Sequence, residues 1–272
     1  MTQSKPAVHI ISLGAGVQSS TMALMFAKGE LTPMPDGAIF ADTGAEPQYV
    51  YDWLDWLETR LPFPVHRVMH KEGLQESITE NLEDGKFVSV PFFTESISGG
   101  GLLRRQCTRE FKLLPLTKKI RELVGLKYRQ KAPKKILAVS YIGISLDESI
   151  RMKPSREHWI KHEWPLVDNR MRRLDCLAWM QKNGYPEPGR SACTFCPYHS
   201  DKEWSDLKNN HPEDFQSAVK IDEMIRDGVR GTKEKLYLHR SLVPLTDADF
   251  ATPEDRGQLT MFNDECEGMC GV

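Results

Sequence analysis

Val8-His9-Ile10-Ile11-Ser12-Leu13 runs directly into Gly14-Ala15-Gly16-Val17-Gln18-Ser19-Ser20. The short apolar run reads as a buried parallel strand. The small residues after it make a tight loop, and Thr21 to Lys28 reads as a helix stopped by Gly29. Glycines in such a loop let backbone N–H groups approach phosphate oxygens, and the following helix N-terminus favours negative charge. Ser12, Ser19 and Ser20 add hydroxyl donors. The loop has no Walker-type lysine, which argues against a kinase or GTPase site.

The same alternation continues outward from this loop. Gly37–Ala41 reads as a second strand ending at Asp42. Gln48 to Leu61 carries Val50, Trp53, Leu54, Leu57 and Leu61 at helical spacing, and Pro62 follows. Val65–Met69 reads as a third strand and Ile136–Ile142 as a further one. Cys107 to Val124, Leu174 to Lys182 and Glu213 to Arg226 are helical in composition, with Pro115 a kink or boundary. Residues 84 to 101 are weakly patterned and read as a loop over the site. Strand–helix–strand order predicts an α/β fold, a Rossmann-like parallel sheet flanked by helices. The expected organisation is a core over 1–170, a helical segment with a Cys-x-x-Cys over 171–245, and an acidic tail over 246–272. The cysteine-bearing part after the core is a small C-terminal appendage.

Bulk properties narrow the class. The chain has 272 residues, 40% hydrophobic and 27% charged, as in an ordinary globular protein. No apolar run reaches the roughly 20 residues of a membrane span, and residues 1–7 lack a secretory h-region, so a cytoplasmic location is expected. Net charge is −2, yet residues 104–135 hold twelve Lys/Arg against Glu110 and Glu122. A segment this basic suits a nucleic-acid backbone or nucleotide phosphates; a solvated helix face is the plainer reading. His158, His162, His211 and His239 read as surface residues, and Trp53, Trp56, Trp179 and His9 as core.

Six cysteines in a reducing compartment point to metal, cluster or redox chemistry rather than structural disulfides. Cys193 and Cys196 form a Cys-x-x-Cys, with Cys107 far upstream and Cys266 and Cys270 in the tail. Cys176 lies in an apolar helical pattern and reads as core. Three thiolates leave an iron–sulfur cluster one ligand short. His199 would complete a zinc set. Free thiols for redox relay are the third reading. Asp42 or Thr43 could equally cap the helix that follows.

Five segments in order, over about residues 8 to 200, resemble one family. Gly14–Ser20 with Asp42-Thr43-Gly44-Ala45-Glu46 is similar to the PP-loop ATP pyrophosphatases. Arg105–Lys112 with Leu114-Pro115-Leu116, Gly143-Ile144-Ser145 with Asp147-Glu148-Ser149 and Arg151, and Trp164-Pro165-Leu166 resemble the phosphoadenosine-phosphosulfate (PAPS) reductase-like branch. Two positions depart from the pattern: Gln18 stands for an acidic residue and Ser145 for an arginine. The resemblance implies an adenine nucleotide alpha hydrolase-like core that cuts the α–β bond of ATP with Mg2+ bound. Ser12, Gly14, Gly16, Gln18, Ser19, Ser20, Thr43, Gly143 and Arg151 would then hold the nucleotide, with Asp42 beside it or its magnesium and Lys112 facing anionic groups.

In the related sulfonucleotide reductases an adjacent Cys-Cys and a later Cys-x-x-Cys bind a 4Fe-4S cluster; here Gln106 stands for one of the pair. The resemblance therefore implies Cys107, Cys193 and Cys196 as metal ligands, with an open iron that could take sulfide. Such three-cysteine clusters occur among tRNA-thiolating relatives. Cys266 resembles the nucleophile of the reductases' C-terminal Glu-Cys-Gly. The expected function is ATP-dependent sulfur transfer to a tRNA base or a DNA phosphate. Its sulfur would come from sulfide or a cysteine desulfurase, and residues 104–135 would hold the polynucleotide. A reductase of adenylyl- or phosphoadenylyl-sulfate, making sulfite with thioredoxin, is the alternative. A zinc-stabilised nucleic-acid-binding module is a third. Oligomeric state is open.

Overall fold

Short continuous apolar runs on strands and a 3.6-residue apolar stripe on helices dictate a layered α/β arrangement. The computed structural model describes residues 7–84, 89–95, 101–127, 129–229, 232, 234–252 and 255. In chain order the elements are β1 (Val8–Leu13), α1 (Val17–Ala27), β2 (Gly37–Asp42), α2 (Gln48–Glu58), β3 (Val65–Met69) and α3 (Leu74–Glu83). Then come β4 (Phe93–Thr94), β5 (Gly101–Leu102), α4 (Leu114–Leu123), β6 (Ala138–Ile142), β7 (Ile160–Glu163) and α5 (Pro165–Asp168). The last are α6 (Arg173–Lys182), α7 (Asp201–Asn210), α8 (Pro212–Met224) and β8 (Leu236–Tyr237). A π-helical stretch, Thr108–Leu113, leads into α4, and a 3-10 turn, Leu146–Arg151, follows β6.

The chain forms two compact units that do not follow sequence order. The first takes Met1–Asp42, Tyr49–Met69 and Lys112–Ser191; the second takes Thr43–Gln48, His70–Phe111 and Ala192–Val272. The first unit holds a five-stranded parallel sheet in the order β3-β2-β1-β6-β7. Ile11 pairs with Ala38 and Tyr141, and Leu13 with Phe40. These residues form one core with Met22, Leu24 and Phe26 of α1, Trp53, Leu54 and Leu57 of α2, and Cys176 and Met180 of α6. The alternate residues Ile10, Ile39, Ala138 and Ile160 pack on the other face with Ile120 of α4. The sheet is thus covered on both sides, which explains why β2 and β6 read as continuous apolar runs. Leu54 and Leu57 are fully buried, so truncating either to Ala costs roughly 2–5 kcal/mol.

The second unit holds a three-stranded antiparallel sheet, β5-β4-β8, with α3, α7 and α8. Its α7 begins with a capping box: Ser200 Oγ accepts the Glu203 N–H at 3.3 Å, and Glu203 Oε2 accepts the Ser200 N–H at 2.7 Å.

Several expectations shift. Helix α1 starts at Val17 rather than Thr21, because Gly16 is extended and ends the turn at once. Segment 84–101 is not all loop, since β4 and the start of β5 lie within it; residues 85–88 and 96–100 are outside the described residues. Pro115 stands in the first turn of α4, where its missing N–H costs nothing. His239 is buried rather than at the surface, 4% exposed. Among the described residues no helix is long and apolar enough to cross a membrane.

Candidate functional site

In an open parallel sheet, ligands bind at the carboxyl ends of the strands where strand order reverses direction. Here that point lies between β1 and β6, whose neighbours run out toward β3 on one side and β7 on the other. Two loops leave the sheet there: Gly14-Ala15-Gly16 after β1 and Gly143-Ile144-Ser145 after β6.

Both loops have backbone reasons for their residues. Ala15 takes a φ of 56°, a left-handed conformation that costs about 1 kcal/mol or more for a residue with a Cβ. Ser19 Oγ accepts the Gly14 N–H at 3.2 Å and donates to Gly16 O at 3.3 Å, closing the loop on itself. Gly16 is the N-cap of α1, and no side chain caps that first turn. A helix start with uncapped N–H groups is suited to an anion. A Cβ on Gly143 would stand 2.6 Å from Ser19 Cα and 2.8 Å from Ser19 N, so only glycine lets the end of β6 touch the start of α1.

Gln18 joins these loops to the helices behind them. Its Nε2 donates to Glu148 Oε2 at 3.1 Å and to Ser145 Oγ at 3.4 Å, and its Oε1 accepts from Arg173 at 3.1 Å. Glu148 also takes the Arg151 guanidinium. A glutamine can accept from one partner while donating to another, which the acidic residue of the family pattern cannot do. Asp147 accepts the Arg173 backbone N–H at 3.2 Å, so the two guanidinium groups are held among carboxylates at this end of the sheet. Ser145 is fully buried, and its hydroxyl takes part in this network. Arg173 was not singled out from the sequence. Its signal was available only as a basic residue opening a helix, where a cation is dipole-disfavoured and therefore calls for another reason.

The remaining expected residues fall as follows. Asp42 ends β2, and its Oδ1 accepts from Tyr51 OH at 2.8 Å. Ser12 is half-buried near the end of β1. Ser20 is fully buried, and its hydroxyl accepts from Trp53 Nε1 at 3.0 Å, so it ties α1 to α2 rather than facing the loop. Lys112 is half-buried in the π-helical stretch, a feature frequent at functional sites. In the basic segment, Arg121 donates to Lys127 O and Gln130 O and lies over the Trp159 ring. Lys118, Lys127, Lys131, Lys134 and Lys135 are exposed.

Thr43, Cys107, Cys193 and Cys196 belong to the second unit. Thr43 is buried; its Oγ1 donates to Glu46 Oε1 at 3.4 Å and is 3.2 Å from Cys193 Sγ. Cys196 N–H closes a turn on Cys193 O at 2.9 Å, and His199 Nε2 also donates to that carbonyl. Cys107 is half-buried, with its N–H on Ser89 O. Among the described residues no three of His, Cys, Asp and Glu are gathered as a group that could hold a metal ion. Cys176 is core, as expected: burial and the nearby Asp147 push its thiol up to about 12. Cys266 and Cys270 lie outside the described residues.

Among solved structures the chain is similar to phosphoadenylyl-sulfate (PAPS) reductase from Candida auris, solved as a phosphate complex. The two share 15% identity over 68% of this chain and 76% of that one, with a TM-score of 0.44. No protein-family model and no curated protein matches the chain.

Proposed function

We propose that the chain is an adenine-nucleotide-using enzyme of the PP-loop, PAPS reductase-like kind that activates an acceptor for sulfur transfer. The observation that carries this reading is the switch point of the first unit. There an uncapped helix start, a Gly143 contact that admits no side chain, and the Gln18–Glu148–Arg151–Arg173 network occur together. A dehydrogenase would use the same sheet position, but the anchored arginines favour a polyphosphate.

In the proposed reaction the N–H groups at the start of α1 hold the phosphates, and Arg151 and Arg173 offset the charge that develops on the leaving pyrophosphate. An acceptor oxygen forms a bond to Pα while the Pα–O–Pβ bond breaks, and pyrophosphate leaves with the electron pair. A sulfur nucleophile then forms a bond to the activated acceptor atom as AMP departs. Asp42 supplies a carboxylate for the magnesium that accompanies ATP, and Lys112 an ammonium. Magnesium would neutralise phosphate charge. Sulfide supplied in solution is the sulfur nucleophile, so the step needs no oxidant; Cys107, Cys193 and Cys196 are the residues that would hold a cluster or metal, and Cys266 lies in the tail. Lys118, Lys127, Lys131, Lys134 and Lys135 are assigned to the backbone of a nucleic-acid acceptor.

The test is pyrophosphate release from ATP by the anaerobically purified chain, with tRNA or DNA and sulfide present. Release that requires the polynucleotide and falls in Arg173→Ala supports the reading. No release under any acceptor, with no nucleotide-induced thermal shift, sinks it.

A further inference from the structure

The second unit carries a constellation that the proposed nucleotide chemistry does not use. His239 Nδ1 is 2.6 Å from Ser241 Oγ, and His239 Nε2 is 2.9 Å from Asp201 Oδ1. The Ser241 backbone N–H also donates to Nδ1, at 3.3 Å. An amide N–H can only donate, so Nδ1 carries the lone pair and Nε2 carries the proton. That tautomer sends Nε2–H to the Asp201 carboxylate and leaves Nδ1 to receive the Ser241 hydroxyl proton. The imidazole is 4% exposed and stands edge-on to Phe250, whereas Ser241 is exposed. A buried base held by a carboxylate, with an accessible hydroxyl on its other nitrogen, is the arrangement that activates a serine.

The loop that bears these groups is held rigidly. Asp222 of α8 is 1% exposed and accepts the N–H of Leu238 at 2.8 Å and of Leu245 at 2.9 Å. Those two bonds bracket the loop. Leu242 N–H closes a turn on His239 O at 3.1 Å, and Leu242 takes a φ of 58°. A non-glycine residue in that region is strained, and such strain persists only where the surroundings enforce it. Asp201 comes from the first turn of α7, and its second oxygen takes Arg240. Nucleophile, base and carboxylate are thus fixed by two helices rather than by chance rotamers.

We propose that Ser241 is a reactive serine that accepts an acyl group from a carboxylic ester, with His239 as base and Asp201 as a positioning residue. The Ser241 Oγ–C bond forms and the ester C–O bond breaks. The hydroxyl proton passes to His239 Nδ1 and then to the departing alkoxide. Water, deprotonated by the same nitrogen, releases the acid and restores the serine.

A dialkyl fluorophosphonate, applied to the full chain, tests the proposal. The Ser241 Oγ–P bond forms, the P–F bond breaks and fluoride leaves, so intact mass and peptide mapping read the adduct directly. The expected result is one adduct per chain at Ser241, absent in Ser241→Ala. The rate should fall about 100-fold in Asp201→Asn. Lys202→Ala, at an exposed position in the same turn of α7, should label at the wild-type rate, which separates loss of orientation from disturbance of α7. Labelling no faster than that of the urea-unfolded chain, or labelling at an equal rate in a folded His239→Gln, overturns the proposal.

Discussion

Replacing Gly143 by alanine tests the contact on which the switch-point reading rests. The added methyl would meet Ser19 Cα at 2.6 Å and Ser19 N at 2.8 Å. These are backbone atoms of a helix whose Met22, Ala23 and Leu24 are wholly buried, so no flexible side chain can move aside. Relieving such overpacking costs typically about 1–3 kcal/mol. Alanine also lowers the entropy of the unfolded chain, a gain of about 0.4–1 kcal/mol that applies where the native conformation suits it. Gly143 has no positive φ, so that gain is available and the net loss is about 1–2 kcal/mol. For a protein of this size that is a fall in Tm of roughly 2–8 °C. The same shift displaces the start of α1, so binding of a fluorescent ATP analogue should weaken more than the Tm alone implies. Thermal denaturation and nucleotide titration on the same preparation read both. An alanine variant with unchanged Tm and unchanged nucleotide affinity would refute the close approach and the site built on it.

Three further outcomes follow from other parts of the molecule. Gly16→Asp adds a capping carboxylate at the start of α1, so Tm should hold or rise by the equivalent of about 0.3–1 kcal/mol while nucleotide affinity falls; equal affinity would remove the phosphates from that helix. Under native conditions at pH 8, Cys176 should resist iodoacetamide while Cys107 reacts, because a thiol raised to about 12 is about 0.01% thiolate at that pH; equal alkylation by mass mapping contradicts the burial. Burial holds His162 below its ordinary value, and burial with the nearby Lys119 does the same to His66. The unfolded chain therefore binds their protons first, so their stabilisation is full above about pH 6.5 and lost as pH falls through the lowered values. Tm against pH should drop more steeply on the acid side in the wild type than in His162→Gln, and parallel curves would dismiss the assignment.

What the sequence disclosed depended on how local its signals were. The parallel sheet was legible because β1, β2 and β6 are continuous apolar runs, each bounded by turn residues. The start of α7 was equally available, since Ser200 and Glu203 stand at capping-box spacing ahead of Trp204 and Leu207. Strand β7 was hidden: Ile160-Lys161-His162-Glu163 is a sheet edge with one buried position, too short and polar to show a period. The glycine and serine residues of the first loop were visible as types, but their roles were not. Ser19 closes the loop, whereas Ser20, one residue on, turns inward to Trp53. Successive helical positions differ by about 100°, which is how these adjacent serines come to meet different partners.

His239 shows the same limit more sharply. Its neighbours in sequence are Leu238 and Arg240, a context that reads as surface, yet three long-range contacts decide its burial: Asp201, Phe250 and the Asp222 bonds that fix the loop. None is within ten residues of it, so no local pattern could report them. Gln18 belongs to the same class. Read alone it is a departure from an acidic pattern; in place it accepts from Arg173 and donates to Glu148, partners 155 and 130 residues away. A carboxylate at position 18 could keep the Arg173 contact but would face Glu148 with like charge. The glutamine and its two distant partners therefore form one unit, and restoring the acidic residue alone should weaken the site rather than repair it. Gln18→Glu should lower nucleotide affinity, and Gln18→Glu combined with Glu148→Gln should recover it, since the pair of charges is then reduced to one. Non-additivity of that sign in a double-mutant cycle would establish the coupling, and simple additivity would dissolve the network into unrelated contacts.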